Sequence, residues 1–305
     1  MVNRSIDYVV PMVFPDDPQW LRDLRRAVGY DDSDNVRYRS WGTEELLIRC
    51  VKKFMPWVRD IIILLSGESQ VQGWMEEMLA TESQATLPQV RIVFHRDFIP
   101  ADYLPTFNSR AMEMFLHRIP GLSDCFLYGN DDMFPLSPLS EEDFFIDGKP
   151  CIHMMKKVFP DNPNNFQIAC MGGMNFVAKE FGKKFVDVWY KNGHSIAPIL
   201  KSSCEHLWQR GQQEILQSIS KFREPKNFNQ YIYAWYQFFS GQYIDRPPHG
   251  MLMTIRDKSL NEILTAIADP DCGVVCINDH ESVDDYQVYA THVREAIERK
   301  LKAYC

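Results

Sequence analysis

The sequence predicts an α/β protein whose mostly parallel sheet carries helices on both faces. Three observations point there. Ile61-Ile62-Ile63-Leu64-Leu65 is an unbroken apolar run of the kind a strand covered on both faces needs. Strand-like runs alternate with helix-like segments through the first half of the chain, the pattern of βαβ units. A further apolar run, Cys125-Phe126-Leu127-Tyr128, ends in Gly129-Asn130-Asp131-Asp132. That places two carboxylates beyond the carboxyl end of a strand, where ligands of open α/β sheets bind and where Mg²⁺ could be held against a diphosphate.

In chain order, Ile6–Val10 is the first strand. Asp17 before Pro18 suits a helix start, so Asp17 is equally a cap or a ligand. Trp20–Ala27 continues as a helix, and Gly29–Asn35 is a polar loop. A helix from about Thr43 to Phe54 takes Thr43 as its cap, with Glu44 and Glu45 in its first turn. Arg37, Arg39 and Arg49 lie around it, either as charged surface or as guanidinium forks for a diphosphate. Asp60–Ser66 is the most clearly buried strand, Gln72–Ala80 a helix and Val90–Phe94 a strand. In the central segment Thr106–Asp132, Ser109 caps a helix whose Met112, Phe115, Leu116 and Ile119 recur at helical spacing. Pro120-Gly121 ends that helix and the Cys125–Tyr128 strand follows. Asn-Asp-Asp alone also suits a solvated turn, but Phe134 and Pro135 set an apolar wall beside it.

Glu141–Phe145 is a short helix and Cys151–Met155 a strand. Ile168–Ala178 is strand-like, and its Gly172-Gly173 marks a bulge, a close approach to a ligand or a packing kink. From Lys179 to Gly241 the chain is mainly helical. His194 lies in a loop and Arg223 between two helices, where such residues commonly act as caps or satisfied structural groups. Asn227–Phe239 is aromatic nearly all round, as a buried helix would be. Val274–Ile277 is a late strand ending in Asn278-Asp279, and Tyr286–Tyr304 is a closing helix whose Val288, Val293, Ile297 and Leu301 face the body. These segments predict one catalytic domain over 1–305: an α/β core at 1–178, a mainly helical insertion at 179–270, and a last strand and helix at 271–305.

Composition sets bounds on function. The 305 residues are 45% hydrophobic and 13% aromatic, enough for a packed core throughout. A net charge of -8 argues against a nucleic-acid-binding face. The 8 cysteines are scattered and suit reduced, buried positions. Cys272 and Cys276 have a spacing that zinc can use, but no second Cys/His pair follows. With no membrane-length apolar run and no signal-peptide core at its start, the chain is expected to be soluble and cytoplasmic. Peripheral attachment to the inner membrane through a partner stays open.

The same residues resemble a known family. Ile6-Asp7-Tyr8-Val9 with Asp17-Pro18, Glu45-Leu46 with Arg49, Pro56-Trp57-Val58, the Leu104–Ser109 and His117–Leu122 stretches and Asn130-Asp131-Asp132-Met133 follow one another as in the Stealth family of sugar-1-phosphate transferases. His194, Arg223 with the aromatic helix after it, and Cys276-Ile277-Asn278-Asp279 continue the match in order. Three positions depart from the family pattern: Pro11-Met12-Val13 replaces Thr-Trp-Val, Arg110 replaces a common His, and Asn227 replaces a common acidic residue.

The resemblance implies a nucleotide-sugar-binding fold of the GT-A kind. It implies transfer of a hexose 1-phosphate from a UDP-sugar to a hydroxyl of an oligosaccharide or polysaccharide acceptor, with release of UMP, in capsular or cell-surface polysaccharide synthesis. On that footing Asp131, Asp132 and Asp279 are expected to hold Mg²⁺ or Mn²⁺, and Arg223 to bind the transferred phosphoryl group. His194 is the expected base, with Asp132 as its competitor. Asp7, Asp17, Arg39, Arg49, Asn108, Asn130 and Asn278 are expected to bind substrate. A membrane-associated assembly complex is a further expected partner. Two other functions share these residues: a metal-dependent glycosyltransferase releasing UDP, and a non-catalytic component of polysaccharide assembly.

Overall fold

A computed structural model describes residues 5–29, 36–81, 87–283 and 285–304. Beyond Gly29, the polar loop expected up to Asn35 lies outside the described residues. The first half folds as strand β1 (Ile6–Pro11), helices α1 (Pro18–Val28) and α2 (Glu44–Phe54), β2 (Asp60–Leu65), α3 (Gly73–Thr81), β3 (Gln89–Phe94), α4 (Ser109–Glu113) and β4 (Cys125–Tyr128). The four strands form one parallel array in the order β4-β1-β2-β3. Tyr8 pairs with Ile61 on one side and with Leu127 on the other.

Strand periodicity then sorts the core into two layers. Tyr8, Val10, Ile61, Ile63 and Leu65 face a cluster with Leu47, Phe54 and Ile297. Val9, Ile62, Leu64 and Phe126 face the opposite cluster with Met112, Phe115 and Trp235. Both faces of β2 are therefore fully covered, which is why its sequence shows no alternation.

The second half begins with β5 (Met133–Pro135), then β6 (Phe145–Ile146), β7 (Lys149–Ile152) and β8 (Met154–Val158). Helix α5 (Asn165–Glu180), β9 (Val188–Asn192), β10 (Ala197–Leu200), α6 (Lys201–Ser218) and α7 (Tyr231–Phe239) follow. The chain closes with β11 (Ile244–Asp245), β12 (Gly250–Thr254), α8 (Leu260–Ala268), β13 (Val274–Asn278) and α9 (Tyr286–Ala303). Strand β10 completes the main sheet as an antiparallel edge against β4. A second sheet, β12-β13-β5, starts immediately after the Asp131-Asp132 turn. Ile277 N donates to Asp132 O at 2.9 Å, so the pair sits at the junction of the two sheets.

Four local expectations are corrected. The helix expected from Ser109 to Ile119 stops at Glu113 and resumes as one tight turn at Leu116–Arg118. Its cap is Asn108, whose side chain accepts from Arg110 N; Met112, Met114, Phe115 and Leu116 are all buried, so packing on every side overrides the helical period. Thr43 precedes α2 without a side-chain capping bond. The Gly172-Gly173 run is helix, not strand, because Asn164 and Gln167 form a capping box at its start. Gly173 lets α5 approach α7: a methyl group there would lie 3.1 Å from Ile232. Val288 is 49% exposed, whereas Val293, Ile297 and Leu301 are buried; five helical positions from Val293, it points about 140° away from that face.

Seven of the cysteines are free and buried, as expected. Among the described residues no helix is long and apolar enough to cross a membrane.

Gly129 ends β4 under the ring of Tyr8, and a methyl group at Gly129 would lie 2.1 Å from Tyr8 Oη. Tyr8 is fully buried and has no room to retreat. Gly129→Ala is therefore expected to lower unfolding free energy by about 1–3 kcal/mol through overpacking, measured by urea denaturation. A neutral effect would show that this junction is loosely packed.

Candidate active site

Beyond the carboxyl ends of β1 and β4, the turn after β4 and the loops before β10 and α7 enclose a cavity of about 390 Å³. Asn130, Asp131, Asp132, His194, Arg223, Arg39, Asn108, Asn278 and Asp279 all line it, although the chain separates Arg39 from Asp279 by most of its length. Strand order explains the convergence: β1 and β4 are neighbours, and β13 reaches the same rim through β5.

Asp131 and Asp132 form the acidic floor. Burial, then the charge of Asp132, then that of Glu44 push the Asp131 carboxyl up to about 8. Burial also raises Asp132, an effect partly offset by His194 and by the Cys276 thiol. Among the described residues Asp132 Oδ1 has no hydrogen-bond partner. Ligand atoms of Asp132, His194 and Cys276 lie within 4.8 Å of one another. The His194 ring shares a 2.9 Å hydrogen bond between Nδ1 and Tyr231 Oη. Burial lowers the His194 pKa more than Asp132 raises it, so the ring is neutral at neutral pH and can accept a proton.

Arg223 supplies the opposite charge. It donates to Ser109 Oγ at 2.8 Å, and burial depresses its pKa although Glu113 is close by. A clamp holds its loop in place. Asn108 Nδ2 donates to Ser220 O, Phe222 O and Asn227 Oδ1, and Asn227 in turn donates to Ser218 O and Ser220 Oγ. Asn108 therefore lines the cavity, but its side chain is committed to positioning the Arg223 loop. Arg39 donates to Asp279 at 3.3 Å and stacks 4.1 Å over the Tyr286 ring, while Trp41 Nε1 donates to Asp279 at 2.9 Å. Asp279 is thus held in an ion pair within the cavity wall, outside the Asp132 group.

Three expected substrate-binding residues lie elsewhere. Asp7 sits near the amino end of β1, bound by both nitrogens of the Arg59 fork at 2.8 and 2.7 Å and by Ser123 N at 2.8 Å. It is a buried structural pair at the wrong end of the strand. Asp17 is the α1 cap: burial raises its pKa, but hydrogen bonds from Gln70, Ser69, Gln19 and Trp20 outweigh that and hold it below the ordinary range. Arg49 is 45% exposed, faces Glu45 on α2 and does not line the cavity.

Sequence reasoning missed Tyr231 and Cys276 as site groups. Tyr231 was hidden in an aromatic helix that is indeed buried, and only its position at the helix start, with its polar tip free to leave the core, hints at the contact. Cys276 resembled the other core cysteines. Its place two residues before Asn278, on the same face of β13, was the available signal.

A divalent ion fits the carboxylate pair. The Asp132 oxygen without a partner and the mutual repulsion of two adjacent carboxylates are what a bound cation would relieve. Oxygen donors suit a hard ion such as Mg²⁺, and His194 and Cys276 add softer donors on one side of Asp132.

Fold and cavity together define an α/β enzyme with an acidic floor, a neutral imidazole and an opposing guanidinium. Residues 37–152 match the family model for Stealth protein CR2, conserved region 2. The chain is 31% identical over 257 residues to the capsular polysaccharide phosphotransferase cps1A of Actinobacillus pleuropneumoniae, covering 79% of this chain and 67% of that protein. It is 28% identical over 335 residues to the receptor polysaccharide phosphotransferase WefC of Streptococcus oralis, covering 98% and 97%. A solved galactosyltransferase, LgtC with donor and acceptor sugar analogues, aligns over 96% of both chains at 11% identity and a TM-score of 0.49. The chain belongs to the Stealth family, alongside the capsular polysaccharide phosphotransferases.

The raised Asp131 pKa makes metal-free stability fall with pH. A carboxyl whose folded pKa exceeds its unfolded one contributes stability fully below the unfolded value, here 3.8, and loses it as pH rises through about 8. Asp131→Asn in chelator-treated protein should flatten the decline in melting temperature across that window, and Mg²⁺ should flatten it in the wild type. Parallel melting curves for wild type and variant would contradict the assignment.

Proposed function

We propose that the protein transfers a hexose 1-phosphate, such as N-acetylglucosamine 1-phosphate, from a UDP-sugar to a sugar hydroxyl, forming a phosphodiester and releasing UMP. The observation that carries this reading is the meeting of Asp131-Asp132, His194 and Arg223 in one cavity; the acceptor in this reading is a saccharide of capsular or cell-surface polymer synthesis. Residues 1–305 would act as one catalytic domain, its 1–178 core supplying the carboxylates and the later segments the base and the arginine.

The acceptor oxygen attacks the phosphorus that bears the hexose, and the bond from that phosphorus to the oxygen bridging it to the uridylyl phosphate breaks. UMP leaves with the bridging oxygen, and the anomeric bond stays intact. If Nδ1–H of His194 donates to Tyr231 Oη, Nε2 carries the lone pair that takes the acceptor proton. Arg223, fixed by the Asn108–Asn227 clamp, meets the phosphoryl oxygens as charge builds there. Asp131 and Asp132 would hold Mg²⁺ or Mn²⁺, with Asp279 as a further candidate ligand; when bound, the ion offsets the diphosphate charge.

Phosphorus NMR of the protein with Mg²⁺, UDP-N-acetylglucosamine or other nucleotide sugars, and oligosaccharide acceptors is expected to show UMP and a phosphodiester together. UDP in place of UMP would overturn the reaction in favour of glycosyl transfer. His194→Ala should lower kcat by about 10²–10⁴ in protein that still melts cooperatively. Arg223→Ala should lower it by about 10²–10³.

A further inference from the structure

Part of the cavity lining has a composition that the reaction scheme does not use. Phe166, near the start of α5, lines the cavity and keeps 37% of its surface exposed. Its ring meets the Tyr231 ring edge-on at 6.1 Å, and the Arg110 guanidinium lies 5.9 Å from its centre. Arg110 is itself only 6% exposed; its side chain donates to Glu224 O at 3.3 Å and otherwise fronts the cavity. Beside Tyr231 stands Gln230, 9% exposed. Among the described residues the Gln230 side chain makes no hydrogen bond, and its Oε1 is enclosed without a donor.

Each feature is costly or idle in the protein alone. A buried amide without partners forfeits about 1–3 kcal/mol, and an exposed aromatic ring at a cavity mouth is surface that a ligand would cover. Together they match the chemistry of a pyranose, which offers an apolar C–H face to an aromatic ring and a rim of hydroxyls to amides and guanidinium groups. Position decides which sugar it is. Tyr231 meets Phe166 through its ring and His194 through its hydroxyl, which brings a sugar resting on Phe166 to the neighbourhood of the imidazole. The hydroxyl that loses its proton to the base belongs to the acceptor.

We propose that Phe166, Gln230 and Arg110 form the acceptor-sugar subsite, with Phe166 as the stacking platform and Gln230 as the hydroxyl-reading group. This assignment rests on the saccharide-acceptor reading above but not on which bond of the donor breaks.

The test uses the whole protein with Mg²⁺, the nucleotide sugar that the wild type turns over, and methyl glycosides of glucose, galactose, mannose and N-acetylglucosamine as acceptor probes. Phe166→Ala and Gln230→Leu should each raise the acceptor KM by about tenfold while the donor KM stays within about twofold. Gln230→Leu should keep or raise the melting temperature, since no hydrogen bond is lost; a purely structural glutamine would lower it. Saturation-transfer NMR of the same glycosides should show signal on the wild type and loss of it on Phe166→Ala. The assignment is overturned if the acceptor KM is unmoved, if the donor KM rises instead, or if no glycoside receives saturation from the wild type. Release of UDP rather than UMP would overturn the phosphoryl-transfer reading and leave these acceptor comparisons intact.

Discussion

Asp131 and Asp132 follow one another at the end of a fully buried strand, and like charges this close in a protein wall repel strongly. Holding them there requires a rigid support and some compensating charge. The support is the tight junction at Gly129, where the Tyr8 ring fills the space a side chain would take. On the far side, Ile277 N fixes Asp132 O and ties the turn to the second sheet. The compensation is the ion the carboxylates are suited to hold and, without it, a proton on Asp131, whose carboxyl is pushed up to about 8.

The two-layer core makes this arrangement affordable in stability. Alternate residues of β1 and β2 anchor α2 and α9 on one face and α5 and α7 on the other. Helix α7 then places Tyr231 at the cavity, and the loop before it places Arg223. Those loops are fixed by side-chain amides rather than by secondary structure. The Asn108–Asn227 bond joins residues 119 positions apart and ends on the arginine loop. The Asn227 amide can both donate and accept, which this clamp uses in full.

Much of the framework was legible because it depends on local pattern. Ile61–Leu65 reads as a covered strand from composition alone, and the rim position of Asp131-Asp132 follows from the strand before it. What could not be read is pairing across distance. Nothing near Asp7 announces that Arg59 neutralises it, and Asp17 as cap or ligand was undecidable until Ser69 and Gln70 arrived from another loop. Gly172-Gly173 misled because two glycines weaken any helical signal, whereas α7 needs the second of them to come close. His194 and Arg223 entered through family resemblance; their physics became visible only when Tyr231 and the asparagine clamp were in place.

The account turns on attack at phosphorus with the anomeric carbon–oxygen bond untouched. A UDP-sugar carrying ¹⁸O at the anomeric oxygen tests this directly by mass spectrometry of the products. Retention of ¹⁸O between the sugar carbon and phosphorus in the phosphodiester product, with unlabelled UMP released, is the predicted result. Recovery of the label in UDP would mean that carbon is attacked and would contradict the account.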